Sequence, residues 1–154
     1  MKNIIKFVHT NLIAKDWKKL AKFYMDVFDC EPTRPERDLS GDWIDKMTGI
    51  PGVRVKGIHL KLPGYDNGPT LEIFEYNVTS KTTKDALIND PGFSHIAFHV
   101  SNVEEIIDRL IANGGALYGE LAEKEIKGVG FIKAIYAKDP EGNIIEIQNW
   151  KKGQ

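Results

Sequence analysis

The first 30 residues carry two hydrophobic rhythms in succession. Phe7 to Leu12 (FVHTNL) is a short β-prone run, so alternate side chains point to opposite faces. Asp16 then stands where a helix N-cap belongs, and WKKLAKFYMDVF follows with Trp17, Leu20, Phe23, Tyr24, Val27 and Phe28 at helical spacing. A strand leading into an amphipathic helix is expected. Cys30 to Gly52 is rich in turn formers (Pro32, Pro35, Gly41, Gly49, Pro51, Gly52) and reads as a long loop or insertion, in which Trp43, Ile44 and Met47 are spaced for one helical turn. Val53 to Leu62 (VRVKGIHLKL) alternates in part, Gly64 to Pro69 is a turn, and Thr70 to Tyr76 (TLEIFEY) is a further strand.

A polar tract from Asn77 to Gly92 separates this half from one that starts the same order again. Gly92 to Val100 (GFSHIAFHV) reads as a strand, and Ser101 to Glu104 resembles a capping box ahead of a helix striped by Ile106, Ile107, Leu110 and Ile111. Gly114 and Gly115 stop that helix, Gly130 to Ala137 is a strand, Asp139 to Gly142 a turn, and Asn143 to Asn149 the last strand. The expectation is one α+β domain over 1–154, with a first module at about 5–76, a linker at about 77–91 and a second module at about 92–150.

Composition narrows the function. Twenty-one basic against 22 acidic residues leave a net charge of −1, which gives no electrostatic footprint for nucleic acid or an anionic membrane. No run of apolar residues is long enough to span a bilayer, and the N-terminal stretch lacks the features of a signal peptide. Cys30 is the single cysteine, so neither an internal disulfide nor a paired-cysteine zinc site forms, and a cytoplasmic location is expected. No histidine adjoins Cys30 to activate it as a nucleophile, and the glycines make no phosphate-binding loop.

The repeat picks out four residues. Each half begins on a strand bearing a histidine, His9 or His95, and ends on one bearing a glutamate between apolar residues, Glu72 or Glu146. Glu72 follows His9 by 63 residues and Glu146 follows His95 by 51; an insertion near Arg37 to Thr48 accounts for the difference of 12. Taken singly, such residues are more often hydrogen-bonded structural histidines or solvated glutamates. Period two, however, puts His9 with Phe7 and Asn11, Glu72 with Thr70, Phe74 and Tyr76, His95 with Ala97 and His99, and Glu146 with Ile144 and Gln148. No lysine or arginine lies on those strand faces to offset a buried carboxylate, whereas a divalent cation would. Two imidazoles and two carboxylates suit Zn, Ni, Co, Mn or Fe. Around them, His59, Phe74, Tyr76, His99, Gln148 and Trp43 are the candidate substrate contacts. His59 is also a candidate acid or base, Asn11 and Gln148 are possible supporting donors, and Trp43, Met47 and Ile50 a possible lid.

The strand and helix order, together with FVHTNL, LEIFEY, GFSHIAFHVSNVEE and DPEGNIIEI, resembles the vicinal oxygen chelate superfamily over roughly Ile5 to Trp150. That superfamily includes glyoxalase I, methylmalonyl-CoA epimerase, extradiol dioxygenases and the fosfomycin and bleomycin resistance proteins. The resemblance implies two βαβββ modules forming a cupped, barrel-like mixed sheet with helices outside, one divalent metal, a small-molecule substrate and a homodimer. His9, Glu72, His95 and Glu146 match the four ligand positions in the combination seen in glyoxalase I-like members. Glu146 and Glu72 then become the catalytic carboxylates, moving a proton through a metal-bound enediolate in a lyase or isomerase reaction. An Fe-dependent dioxygenase, an epimerase and a non-catalytic drug- or metabolite-binding protein are the alternatives. Epimerases usually carry glutamine at the place of Glu72 and an acidic residue in the stretch matching Gly49 to Val53, and this chain has neither.

Overall fold

The computed structural model describes residues 4–78, 85 and 87–152. Much of the expected linker, 79–84 and 86, lies outside them. The chain divides into two compact units, one from residues 1–25 and 29–81, the other from 26–28 and 82–154.

The first unit contains β1 (His9–Ile13), α1 (Trp17–Phe28) up to Met25, β2 (Glu31–Ser40), α2 (Asp42–Thr48), β3 (Arg54–Lys61) and β4 (Thr70–Tyr76). Its sheet runs β1-β4-β3-β2, with β1 parallel to β4 and the remaining pairs antiparallel. The second unit contains β5 (His95–His99), α3 (Val103–Ala112), β6 (Ala116–Leu117), β7 (Ala122–Ile126), β8 (Gly130–Lys138) and β9 (Ile144–Lys151). Here the path is β5-β9-β8-β6, with β7 also on β8, and β5 is again the strand parallel to its partner. The α+β architecture of two βαβββ modules is therefore present as two mixed sheets.

Local chemistry accounts for most boundaries. Asp16 caps α1, its Oδ1 accepting from the Lys19 amide at 3.1 Å, and the helix ends at Asp29, whose positive φ lets the Cys30 amide reach the Tyr24 carbonyl. At its N-terminal end the Trp17 amide donates to Glu75, which faces away from Glu72 on β4. On that side Ile58, Leu60, Leu71 and Ile73 are buried, as is the apolar stripe of α1. In the second unit α3 packs on β9, where Ile145 and Ile147 are buried.

Several expectations are corrected. Residues 31–40 are not loop but the edge strand β2. Its prolines hid it: Pro32 and Pro35 are tolerated because only one side of an edge strand pairs, and the register jumps between Thr33 and Arg37, leaving Pro35 outside the ladder. The helical turn expected at 43–47 is α2, anchored by Ile44 in a buried cluster with Val53, Val55 and Phe74. Residues 41–53 hold α2 where the second unit has only 127–129, and most of the length difference lies there. The first strand starts at His9 rather than Phe7, since β4 can pair only from Thr70 onward, just past Pro69. The second helix is capped one residue later than expected, by Asn102 accepting from Glu105. Strands β6 and β7 went unforeseen, because β7 (AEKEI) is exposed throughout and carries no buried face to set a period.

Cys30 is buried in the first unit, and that burial, helped by the nearby Asp29 charge, pushes its thiol up to about 12. The native chain is accordingly expected to resist Ellman's reagent at pH 8 and to react only when denatured. Rapid reaction without denaturant would place Cys30 at the surface.

Candidate metal centre

The first unit assembles a polar row across its sheet. Thr33, His59, Glu72 and Asn11 are successive register partners on β2, β3, β4 and β1. His9, two residues before Asn11, reaches the same carboxylate: its Nε2 lies 3.1 Å from Glu72 Oε2. Asn11 Nδ2 donates to that same oxygen at 3.1 Å. His59 Nε2 stands 2.8 Å from the other oxygen, Oε1, and its Nδ1 is 3.2 Å from the Thr70 hydroxyl. Glu72 is only 8% exposed, so a buried carboxylate is satisfied from both sides by neutral or ionisable nitrogen donors. Burial holds the His59 imidazole below its ordinary value; the Glu72 charge pulls it upward, while Arg37 and His9 add to the downward push.

The second unit repeats the design with one replacement. His95 Nε2 is 3.1 Å from Glu146 Oε2, and the residue paired with Glu146 across the sheet is Tyr136, which hydrogen-bonds it. Burial, then the Glu146 charge and their hydrogen bond, raise the Tyr136 phenol, so it stays protonated and donates. The registers are the same in both units: His9 precedes the partner of Glu72 by two residues, and His95 precedes Ala97, the partner of Glu146, by two. The strand before the last in each unit aligns as well, GIHLK at 57–61 against AIYAK at 134–138, with the isoleucine and the lysine shared.

The lone pairs at His95 can be assigned. Ser94 Oγ lies 3.2 Å from the Ile88 carbonyl oxygen and 3.1 Å from His95 Nδ1. A hydroxyl has one proton, and the carbonyl can only accept, so Ser94 donates to Ile88 and accepts from Nδ1–H. A neutral His95 then presents the bare lone pair of Nε2 to a Glu146 oxygen 3.1 Å away. Two acceptors at that distance need either a proton or a metal ion between them. For ligand bonds near 2.1 Å, neighbouring donors on a divalent ion are roughly 3 Å apart, so the spacing of each His–Glu pair fits a metal as well as a proton. Among the described residues no three His, Cys, Asp or Glu side chains converge to hold a metal ion, and His9 and His59 approach different oxygens of Glu72.

The remaining candidates are placed as follows. Phe74 is buried in the cluster with Ile44, its ring edge-on to His59 at 5.8 Å, and Tyr76 packs against that cluster. Trp43 and Met47 are exposed on α2, and Ile50 follows it, also exposed. His99 is exposed opposite Gln148, whose side-chain oxygen accepts from the Trp150 indole at 2.6 Å. Tyr136, Ser94 and Thr70 are contacts that the sequence reading missed. Tyr136 was findable by aligning the strand before the last in each unit, while Ser94 carries no signal beyond standing beside His95.

The sequence profile of the Glyoxalase/Bleomycin resistance protein/Dioxygenase superfamily matches residues 6–147. The chain belongs to this superfamily. Among solved structures, this superfamily member is similar to a glyoxalase family protein from Bacillus cereus, at 17% identity and a TM-score of 0.82, covering 99% of this chain and 97% of that one. It is also similar to the trypanothione-dependent glyoxalase I of Leishmania major, at 22% identity and a TM-score of 0.63 over 95% and 87% of the two chains. A third likeness is to the fosfomycin resistance protein FosX of Listeria monocytogenes, at 21% identity and a TM-score of 0.58 over 98% and 96%. No curated protein matches the sequence. These likenesses extend to the fold of the superfamily member. Among its described residues no helix is long and apolar enough to cross a membrane.

Proposed function

We propose that this protein is a metal-dependent, glyoxalase-type lyase or isomerase that binds one divalent cation (Zn, Ni, Co, Mn or Fe) through His9, Glu72, His95 and Glu146. The observation that carries the reading is the Ser94 relay, which turns the ligating lone pair of His95 toward Glu146. Hydrogen bonding of a ligating imidazole's other nitrogen is the usual companion of metal binding. Bound there, the cation would polarise adjacent oxygens of a small substrate and favour the negative charge that develops when the neighbouring carbon loses its proton.

The proton transfer belongs to the carboxylates. Glu146 takes the proton from the carbon bearing one oxygen and returns it to the adjacent carbon, so the reaction is an internal isomerisation that needs no co-reactant. Tyr136, protonated and hydrogen-bonded to Glu146, steadies that carboxylate between the two steps. Glu72, held by Asn11 and His59, is the better anchored of the pair and serves as its fixed counterpart. We assign the protein to the cytoplasm as a homodimer, in line with the buried thiol of Cys30 and the exposed apolar side chains of Ile4, Ile5, Phe7 and Val8.

Metal analysis of protein purified without chelator, paired with an assay of hemithioacetal conversion to thioester, tests this. Stoichiometric metal is expected, and turnover that disappears with chelator and returns with the cation. Ser94→Ala is expected to weaken metal affinity about 10- to 100-fold. Tight ligand binding by metal-free protein with no turnover would instead identify a sequestering, resistance-type protein.

A further inference from the structure

We infer that His59 is a positioning residue that, backed by the Thr70 hydroxyl, ties down one oxygen of Glu72 and leaves the other as the metal-facing atom. This rests on the proposed metal centre and assigns a task within it that is neither ligation nor acid–base chemistry.

The assignment follows from which atoms can donate. A carboxylate only accepts, so the 2.8 Å contact between His59 Nε2 and Glu72 Oε1 requires the proton on Nε2. In a neutral ring Nδ1 is then an acceptor, and the hydroxyl of Thr70, 3.2 Å away, is the donor that faces it. Thr70 and Glu72 are two residues apart on β4 and His59 is the cross-strand partner of Glu72, so one face of two paired strands supplies the whole relay. The relay ends on Oε1, whereas His9 and Asn11 both address Oε2. A carboxylate free to rotate offers either oxygen; one held at Oε1 offers Oε2 beside the imidazole of His9. With its Nε2 lone pair used by this proton, His59 has no lone pair directed at a cation beside Oε2.

The second unit supports the assignment independently. The register position of His59 is filled there by Tyr136, a residue of different chemistry that makes the same kind of bond to the equivalent carboxylate. What the two modules share at this position is donation to the glutamate.

Two measurements test it. In metal-free chain labelled with ¹⁵N, at a pH above the ordinary imidazole range, the His59 ring is expected in the Nε2–H tautomer, and Thr70→Val is expected to introduce the Nδ1–H form. A wild-type ring in the Nδ1–H tautomer would overturn the proposal whether or not the protein binds metal. In the second, the dissociation constant of Co²⁺ is measured by competition with a chelator. His59→Leu is expected to weaken binding about 10- to 100-fold, with the stoichiometry kept, and His59→Gln, whose amide can donate to the same oxygen, to recover most of the loss. Unchanged affinity in a folded His59→Leu chain would make His59 merely structural. Loss of stoichiometric binding that His59→Gln does not restore would make it a ligand. Either contradicts the proposal. Failure of the wild-type chain to bind any divalent cation would sink the metal centre itself, a result the tautomer measurement separates from failure of the relay.

Discussion

His95→Ala is expected to lower divalent-metal affinity by more than about 100-fold while leaving the chain folded. Replacing a group that only supports a ligand costs about 10- to 100-fold, and removing the ligand itself takes away the bond being supported. The fold should tolerate the change because His95 is partly exposed, with 29% of its side chain accessible, and its partners are the half-buried Glu146 and Ser94. His9→Ala should behave alike, since His9 stands to Glu72 as His95 stands to Glu146. Equilibrium dialysis beside a thermal melt checks both variants. Metal retained at wild-type affinity in either would remove that histidine from the ligand set.

Gly57→Ala should have the largest effect on stability. Gly57 lies on β3 and is not among the positive-φ glycines, so the issue is space. A Cβ there would meet the Ile73 carbonyl oxygen at 2.1 Å, Phe74 Cδ1 at 2.4 Å and Phe74 Cα at 2.9 Å. Two of these are backbone atoms, and the Phe74 ring is held by Ile44, Val53 and Val55, so nothing nearby yields cheaply. Overpacking of this kind costs about 3 kcal/mol or more. That corresponds to a fall in Tm of roughly 6 to 12 °C for a chain of this size. Gly57 pairs with Phe74 two residues from the His59–Glu72 pair, so metal affinity should fall as well. Gly119→Ala, where an added Cβ meets nothing within 4 Å, is the control expected to leave Tm unchanged. Equal melting of the two variants would mean that β3 and β4 are not packed this closely.

The residues that carried the sequence reading were those whose chemistry is local. Asp16 and WKKLAKFYMDVF specify α1 to the residue because a cap and a 3.6-residue stripe depend on nothing outside the segment. TLEIFEY specifies β4 in the same way. The strand β2 was illegible for the opposite reason: only its place at the sheet edge makes Pro32 and Pro35 acceptable, and edge position is a tertiary fact. The two His–Glu pairs were legible because the duplication set them at matching places, and each proves to be a contact of 3.1 Å. The donors behind them were less so. Tyr136 differs in type from its counterpart His59, and Ser94 acts through a carbonyl at Ile88 that no motif marks.

In the proposed metal centre each module gives one imidazole and one carboxylate to a shared cation. X-ray absorption at the zinc edge of the zinc-loaded chain tests it most directly, because imidazole rings scatter distinctively and can be counted. Two imidazoles on one zinc in the wild-type chain, and one in whatever zinc His9→Ala or His95→Ala can be made to hold, is the predicted result. A wild-type zinc carrying a single imidazole, or none, would contradict it.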